Sequence, residues 1–432
     1  MKKSKFIKSS IILIIGGFIT KILGMIIKII TTRMIGTEGI GLFMLITPCY
    51  MLLISIATLG FPIAISKLIS EDKYNNKNIV LSIIPISLLI NLIIMFLLFL
   101  FGHIISNNLL HEPRTYLGII CIGFVLPFVS ISSIIRGYFF GKERMIPHVI
   151  TIIIEDIVRL IILSLGIPIF LLKGLEFTIA FLIISNIFSE LSSIIILTFL
   201  LPKKNINKLD FIPNKKNLKN IFSLSIPTTI SRLIGNIGYF FEPIILTSVM
   251  LNIGYSSKYI ITEYGIVSGY VLPLLLLPSF FTMAISQALI PTVSKAYSNN
   301  QIIYCKKKIN QAIFISLLIG IPVTIFFELF PKFSLDFLYN THLGIDYLRV
   351  LAPICLFQYI QSPLTSSLQA MGKAKEAMNG TIIGMITRTI LLFVLTYLKI
   401  GIWGLIISTS ISMILVTTHQ YRKIKKVFIN TF

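Results

Sequence analysis

Apolar residues run in long blocks separated by short polar connections, at 9–32, 39–66, 78–103, 116–140, 147–172, 175–201, 219–250, 262–290, 309–330, 346–369, 376–399 and 401–418. One bilayer-crossing helix needs roughly 17–25 such residues, and the longer blocks leave room for tilt. The pattern predicts an all-α polytopic membrane protein with twelve transmembrane helices. The longest interior connection is the lysine-rich PKKNINKLDFIPNKKN, Pro202–Asn217. It divides the chain into an N-terminal six-helix lobe (1–201), a basic linker (202–218), a C-terminal six-helix lobe (219–418) and a basic tail (419–432).

Composition strengthens this reading. Of 432 residues, 55% are apolar and only 12% charged, too little charge to cover a water-soluble surface of this size. Lys and Arg total 38 against 16 Asp and Glu, a formal charge of +22. In a soluble chain that excess would suggest nucleic acid; here it fits loops lying against anionic phospholipid head groups at the cytoplasmic face. With a cytoplasmic N-terminus, 26 of the 38 basic residues fall in inner connections and six in outer ones, one per outer loop. Strict alternation of this kind is the positive-inside signature, and it puts both termini in the cytoplasm. Lys2, Lys3, Lys5 and Lys8 precede the first apolar run as in a signal peptide. No small-residue cleavage site follows and the run continues past Lys21 to about Ile30, so this is expected to be a retained span.

Catalytic signatures are missing. Cys49, Cys121 and Cys355 lie in apolar runs and Cys305 beside a basic loop, with no metal-ligand spacing. Walker, dinucleotide, zincin and nucleophile-elbow motifs do not occur, and the short outer loops leave no room for a catalytic domain. The expectation is a transporter without enzymatic activity, metal or cofactor.

The two halves resemble each other. Thr20-Lys21-Ile22-Leu23-Gly24 matches Ser231-Arg232-Leu233-Ile234-Gly235. Ile65-Ser66-Lys67 after Pro62 matches Val293-Ser294-Lys295 after Pro291, and Gly141-Lys142 matches Gly372-Lys373. Short basic–glycine pairs also recur by chance in such a chain. Duplication of a six-helix unit would give two lobes of like orientation about a pseudo-twofold axis along the membrane normal, enclosing a central cavity.

Charges inside the spans are the candidate chemistry, because each costs at least ~2.5–3.5 kcal/mol near the bilayer centre unless it is partnered or wet. Lys21 and Lys28 lie seven residues apart in the first segment, returning to nearly one face, and Arg33 ends it. No acid in that segment offsets them, although Lys28 can also snorkel to the interface. Arg232 lies at comparable depth in the seventh segment, followed by Asn236 and Glu242-Pro243. A cluster of Lys21, Lys28 and Arg232 suits phosphate oxygens. Glu242 is either a counter-ion for Arg232 or, with Asn236, a site for a coupling proton or cation. Glu155, Asp156 and Arg159 have three- and four-residue spacing and read as a structural ion-pair network. Glu190, Glu328, Arg349 and Arg388 have no assignable partners. Gly16-Gly17 and Gly235 are expected to be close helix-packing points.

Six stretches carry a family resemblance: GGFITKILGMIIKIITTRMIGTEGIGLFMLITPCY (16–50), GFPIAISKLISE (60–71), SIIRGYFFGKERMIP (133–147), SIPTTISRLIGNIGYFFEPII (225–245), LPSFFTMAISQALIPTVSKA (277–296) and LQAMGKAKEAMN (368–379). In them the chain resembles the multidrug/oligosaccharidyl-lipid/polysaccharide exporter superfamily, on its polysaccharide and lipid II flippase branch. The resemblance implies two six-helix lobes in a V and a role in peptidoglycan assembly during endospore formation. It implies pyrophosphate contacts by Lys21, Lys28 and Arg232, with Arg33 and Lys67 as further positions. Many relatives carry helices after the twelfth that hold the isoprenoid tail; here a basic tail, Arg422 to Lys426, follows instead.

The leading expectation is therefore a flippase in the plasma membrane of an endospore-forming bacterium. It would carry an undecaprenyl-pyrophosphate-linked saccharide by alternating access, driven by the membrane potential or by Na+ or H+. Cell-wall synthesis machinery is an expected partner and nucleic acid is not. A cation-coupled organic-cation exporter of the same fold is the alternative, disfavoured by unpaired Lys21 and Lys28. A membrane scaffold of cell-wall synthesis is the third reading, and it leaves the buried charges unexplained.

Overall fold

The computed structural model describes residues 2–71, 76–202 and 215–429, and among them it is helical throughout, with no strand. Side chains before Ile15, at 215–217 and at Ser231 are outside the description, as are Lys73, Lys203, Lys204, Lys208 and most of the linker expected at 202–218. The helices in order are α1 (Lys2–Thr58), α2 (Phe61–Ser70), α3 (Asn76–His103), α4 (Tyr116–Gly141), α5 (Met145–Leu171) and α6 (Leu175–Leu200). They continue as α7 (Lys215–Ile253), α8 (Ser257–Gly265), α9 (Leu272–Leu275), α10 (Ser279–Ser298) and α11 (Ile302–Leu329). The last are α12 (Pro331–Tyr339), α13 (Ile345–Ala370), α14 (Ala374–Leu395) and α15 (Trp403–Ile429). Each predicted apolar block falls on one of these helices or on a broken pair.

A straight helix as long as α1 would measure about 85 Å, far beyond a hydrocarbon core of about 30 Å. It is broken at Gly36, whose φ of 70° and ψ of −174° lie outside helical space. Only a residue without Cβ enters that region cheaply, so the first two predicted spans are two arms of one element. The second arm breaks again at Leu59 and Gly60, both at positive φ, before α2.

Among the described residues, seven stretches are long and apolar enough to cross a membrane on their own, counting Ile15–Ser70 as one, and the pair Ser257–Leu275 and Ser279–Ser298, bent by 52°, makes an eighth. The other predicted spans lie on α5, α13 and α15. These are full-length helices whose apolar runs are diluted by Glu155, Asp156 and Arg159 or by Ser, Thr and Gln. The chain is a multi-pass membrane protein.

Contacts divide it into two compact units, Met1–Phe240 and Phe241–Phe432. The first half of α7 goes with the N-terminal unit because the Phe222 ring packs edge-on to Phe61 at 6.0 Å and Ile221 is buried with Ile65, Ile69, Ile79 and Ile134. The core of the second unit includes Leu289, Val293, Ile309, Leu364, Leu368 and Ile424.

Both units use one packing scheme. In the first, α4 packs against α2, α3 and α6, and α6 against α5; in the second, α13 packs against α10, α11 and α15, and α15 against α14. The turns after α4 and α13 match bond for bond. Glu143 N–H donates to Phe140 O and Arg144 N–H to Phe139 O, as Gly372 N–H does to Gln369 O and Lys373 N–H to Leu368 O. Glu143 (φ 56°) and Gly372 (φ 73°) occupy the same left-handed position. The structural register therefore aligns Glu143 with Gly372, two residues away from the Gly141–Gly372 match suggested by sequence.

The α14–α15 seam is tightest at Gly384, where a Cβ would lie 2.2 Å from Val416 Cγ2, and the Ser412 hydroxyl donates to the Gly384 carbonyl at 3.0 Å. Gly384→Leu is expected to overpack this seam at a cost of about 1–3 kcal/mol, lowering the melting temperature in detergent without changing helix content by circular dichroism.

Candidate functional site

In the first unit, α4, α5 and α6 meet around Arg136. Its guanidinium is paired with Glu155 of α5, lies 3.8 Å from Glu190 of α6, and donates to Ser193 Oγ at 2.8 Å. Ser132, one turn earlier, donates to Glu190. Arg159 reaches Glu155 at 3.6 Å. Glu155 and Glu190 are buried, and the Arg136 side chain is only 16% exposed. A buried ion pair is supported by further hydrogen bonds to its remaining valences, and here Ser132 and Ser193 each supply one.

The expected ion-pair network is thus present with different members. Arg159 takes Glu155, whereas Asp156 makes no ion pair among the described residues. Arg136, counted from sequence as a cytoplasmic-loop residue, is the hub. Its position five residues inside the C-terminal end of α4 was the missed signal, since Ile134-Ile135 and Phe139-Phe140 bracket it with span-like residues.

In the second unit, Glu242 of α7 pairs with Arg388 of α14 at 2.5 Å and accepts from the Tyr264 hydroxyl at 3.3 Å. This corrects the expectation that Glu242 neutralises Arg232. Ten helical residues separate those two, about 15 Å of rise, and Arg388 takes the acid instead. The Asn236 amide donates to Ser55 Oγ at 2.7 Å and to Met51 O at 3.4 Å, tying α7 to the second arm of α1.

Three candidate cations remain unmatched. Lys21 and Arg232 are exposed and Lys28 half-buried, and among the described residues none of them has a hydrogen bond or an ion pair. On α1 the packed stripe runs through Gly16, Ile27, Thr31 and Ile35. Gly17, Lys21, Gly24 and Lys28 follow a four–three–four spacing along the adjacent face. Gly16 is the packing point expected of it, against Val149. Gly17 and Gly235 are not: a Cβ on Gly17, Gly24 or Gly235 would meet nothing within 4 Å. The glycines beside the basic residues therefore open space around them. Lys67 is exposed on α2, and Arg33 is exposed but engaged within the structure. No group of three or more metal-ligating side chains occurs among the described residues.

Chemically, the unmatched cations offer charge-assisted donors to an anion in surroundings that would otherwise penalise them. The matched ones do not. Removing one partner of a buried pair strands a charge and costs about 3–5 kcal/mol. Arg388→Met is therefore expected to destabilise strongly and Arg388→Met/Glu242→Leu much less, read as a double-mutant cycle on thermal unfolding in detergent. An additive cycle would show that the pair carries no coupling.

Residues 6–297 match the family described as polysaccharide biosynthesis protein, and residues 234–394 match the MatE family. Stage V sporulation protein B of Bacillus subtilis is 34% identical over 99% of this chain and 85% of its own length. Lipid II flippase MurJ of the same organism is 25% identical over 90% of this chain and 77% of its own. Among solved structures, an inward-facing multidrug resistance MATE family transporter of the MOP superfamily superposes with a TM-score of 0.77 at 15% identity, covering 95% of each chain. A MOP superfamily transporter from Pyrococcus furiosus gives 0.67 at 16% identity, covering 98% of this chain and 96% of the other. The solved structures share the fold, and the matched sequence places this chain in the polysaccharide biosynthesis protein family.

Proposed function

We propose that this chain is a flippase that carries a lipid-linked saccharide from the inner to the outer leaflet by alternating access, gripping the lipid pyrophosphate with Lys21, Lys28 and Arg232. The observation that carries this reading is selective pairing. Arg136, Arg159 and Arg388 each have an acid, while Lys21, Lys28 and Arg232 have none among the described residues and stand beside open glycines. The names of its relatives support the same reading, one being a lipid II flippase and another a sporulation protein. An undecaprenyl-pyrophosphate-linked peptidoglycan precursor for cell-wall or cortex assembly is the specific cargo that unites them.

In this reading the termini and the basic loops face the cytoplasm, and the inside-negative potential supplies drive. It pushes anions outward with about 2.3 kcal/mol per charge per 100 mV. A diphosphate bearing about two charges would gain about 4–5 kcal/mol per 100 mV, less what the cations neutralise.

Purified protein in liposomes loaded with a labelled lipid-linked precursor should exchange it between leaflets and leave ethidium untouched. Transport of ethidium in place of the precursor would select a cation exporter. Lys21→Ala and Arg232→Ala should each slow precursor exchange at least about tenfold, the worth of one charge-assisted contact of about 1.5–3 kcal/mol, with unchanged protein recovery. Unimpaired exchange by the double variant would remove the pyrophosphate assignment. Clamping the potential to zero should slow outward movement, whereas a coupled Na+ or H+ would make the rate follow that ion's gradient.

A further inference from the structure

The basic end of the second unit carries a different feature, separate from the proposed cargo site. Where α11, α13 and α15 come together, a groove of about 340 Å³ opens between Lys306 and Lys425, with Tyr421 at its mouth. Its floor is apolar: Ile309, Leu364, Ile424 and Phe428 line it, and all four are buried. Lys306 and Asn310 also border a second, more open recess that leads to Phe314.

The charges at this end divide into two sets. Lys423 is neutralised by Glu376 at 2.8 Å. The Lys308 ammonium donates to Gln311 Oε1 at 3.1 Å and lies over the Tyr304 ring, 5.4 Å from its centre. Lys306 and Lys425, which flank the groove, have no hydrogen bond or ion pair among the described residues. Two lysines across one apolar cleft repel each other, and an anion between them removes that repulsion.

Position argues for the chemistry of the anion. Lys306 lies three residues before the apolar block 309–330, and Lys425 about two turns beyond the block 401–418. Both thus lie just outside the apolar blocks, and a basic pocket between transmembrane helices at such a boundary suits an acidic lipid. Below the recess, Phe314, Leu318, Ile321 and Ile325 repeat at helical spacing on α11 and are all exposed. They form a continuous apolar track descending from the lysines, matching a molecule with a phosphate at one end and acyl chains at the other. A soluble anion would use the lysines and leave the floor and the track without a role.

We propose that this groove is a binding site for one anionic phospholipid, its phosphate held between Lys306 and Lys425 and its chains laid along the floor and the outer face of α11. The groove takes the head group and the upper part of the chains, and the remainder stays in the bilayer. The site is independent of Lys21, Lys28 and Arg232.

Full-length protein would be purified in neutral detergent with phosphatidylglycerol or cardiolipin against phosphatidylcholine, and retained lipid counted by native mass spectrometry. Wild type should keep one anionic lipid and release phosphatidylcholine. Lys306→Gln/Lys425→Gln should lose retention at least about tenfold, from about 1 kcal/mol per lysine, while Lys332→Gln, another exposed lysine, should retain it. Both substituted lysines are exposed, so the double variant should fold, as checked by size exclusion. Cardiolipin should raise the melting temperature of wild type and not of the double variant. Equal retention by wild type and double variant, equal retention of phosphatidylcholine, or an equal thermal shift with inorganic phosphate would each overturn the proposal.

Discussion

An ionised side chain surrounded by hydrocarbon must meet an opposite charge, a set of hydrogen-bond partners or water, and most of the polar architecture of this chain follows from that demand. Three helices of the first unit converge on Arg136, which stands against both Glu155 and Glu190. In the second unit Glu242 draws α7 and α14 together through Arg388, with Tyr264 closing the remaining acceptor. These pairs join helices that also carry exposed apolar side chains. Against that background a deep cation left without an acid stands out, as Lys21, Lys28 and Arg232 do among the described residues.

The units solve the same packing problem with different polarity. Arg136 precedes the left-handed turn residue Glu143 by seven positions, as Thr365 precedes Gly372. Arg136 bridges to Glu190 and Ser193 on α6, whereas Thr365 donates to Gln420 on α15 at 3.0 Å. The same junction is thus ionic in one unit and neutral in the other. Arg159 and Arg388 also correspond, each sixteen residues after its turn residue, yet one finds its acid on its own helix and the other on α7. A shared backbone scheme with exchanged side chains lets each unit keep its packing while its charge changes.

Much of this was legible in the sequence. The short α12 fell between two apolar blocks and was not foreseen, whereas block length predicted the membrane-length helices, because bilayer thickness acts on the chain locally. The break at Gly36 coincides with a gap between apolar blocks for the same reason. Partner choice was not legible. Glu242 has Arg232 as its basic neighbour along its own helix, and only the packing of α14 on α7 reveals Arg388. Arg136 looked like a loop residue because it stands close to Lys142 and Arg144, and burial, which decides the matter, depends on α5 and α6. Gly235 was read as a packing point from its type alone; whether a glycine serves a neighbouring helix or leaves room for something else is settled by what lies within 4 Å.

On the proposed reading, the open face of α1 suits a cargo that must leave as well as bind. Lys21 and Lys28 are separated by about 10 Å of helix rise, with Gly24 between them and space around it. A single deep pocket with both lysines on one phosphate would hold a diphosphate too tightly to release it, whereas separated weak sites let binding be favourable at entry and escapable at exit, the requirement that conducting pathways share. Lysine suits such a ladder better than arginine, since a compact ammonium on a flexible stem can follow a moving phosphate without the geometric commitment of a bidentate fork. The paired, buried charges are arginines and the unpaired ones on α1 are lysines. On the proposed reading, α1 meets the cargo with lysines alone, while α7 adds the unpaired Arg232.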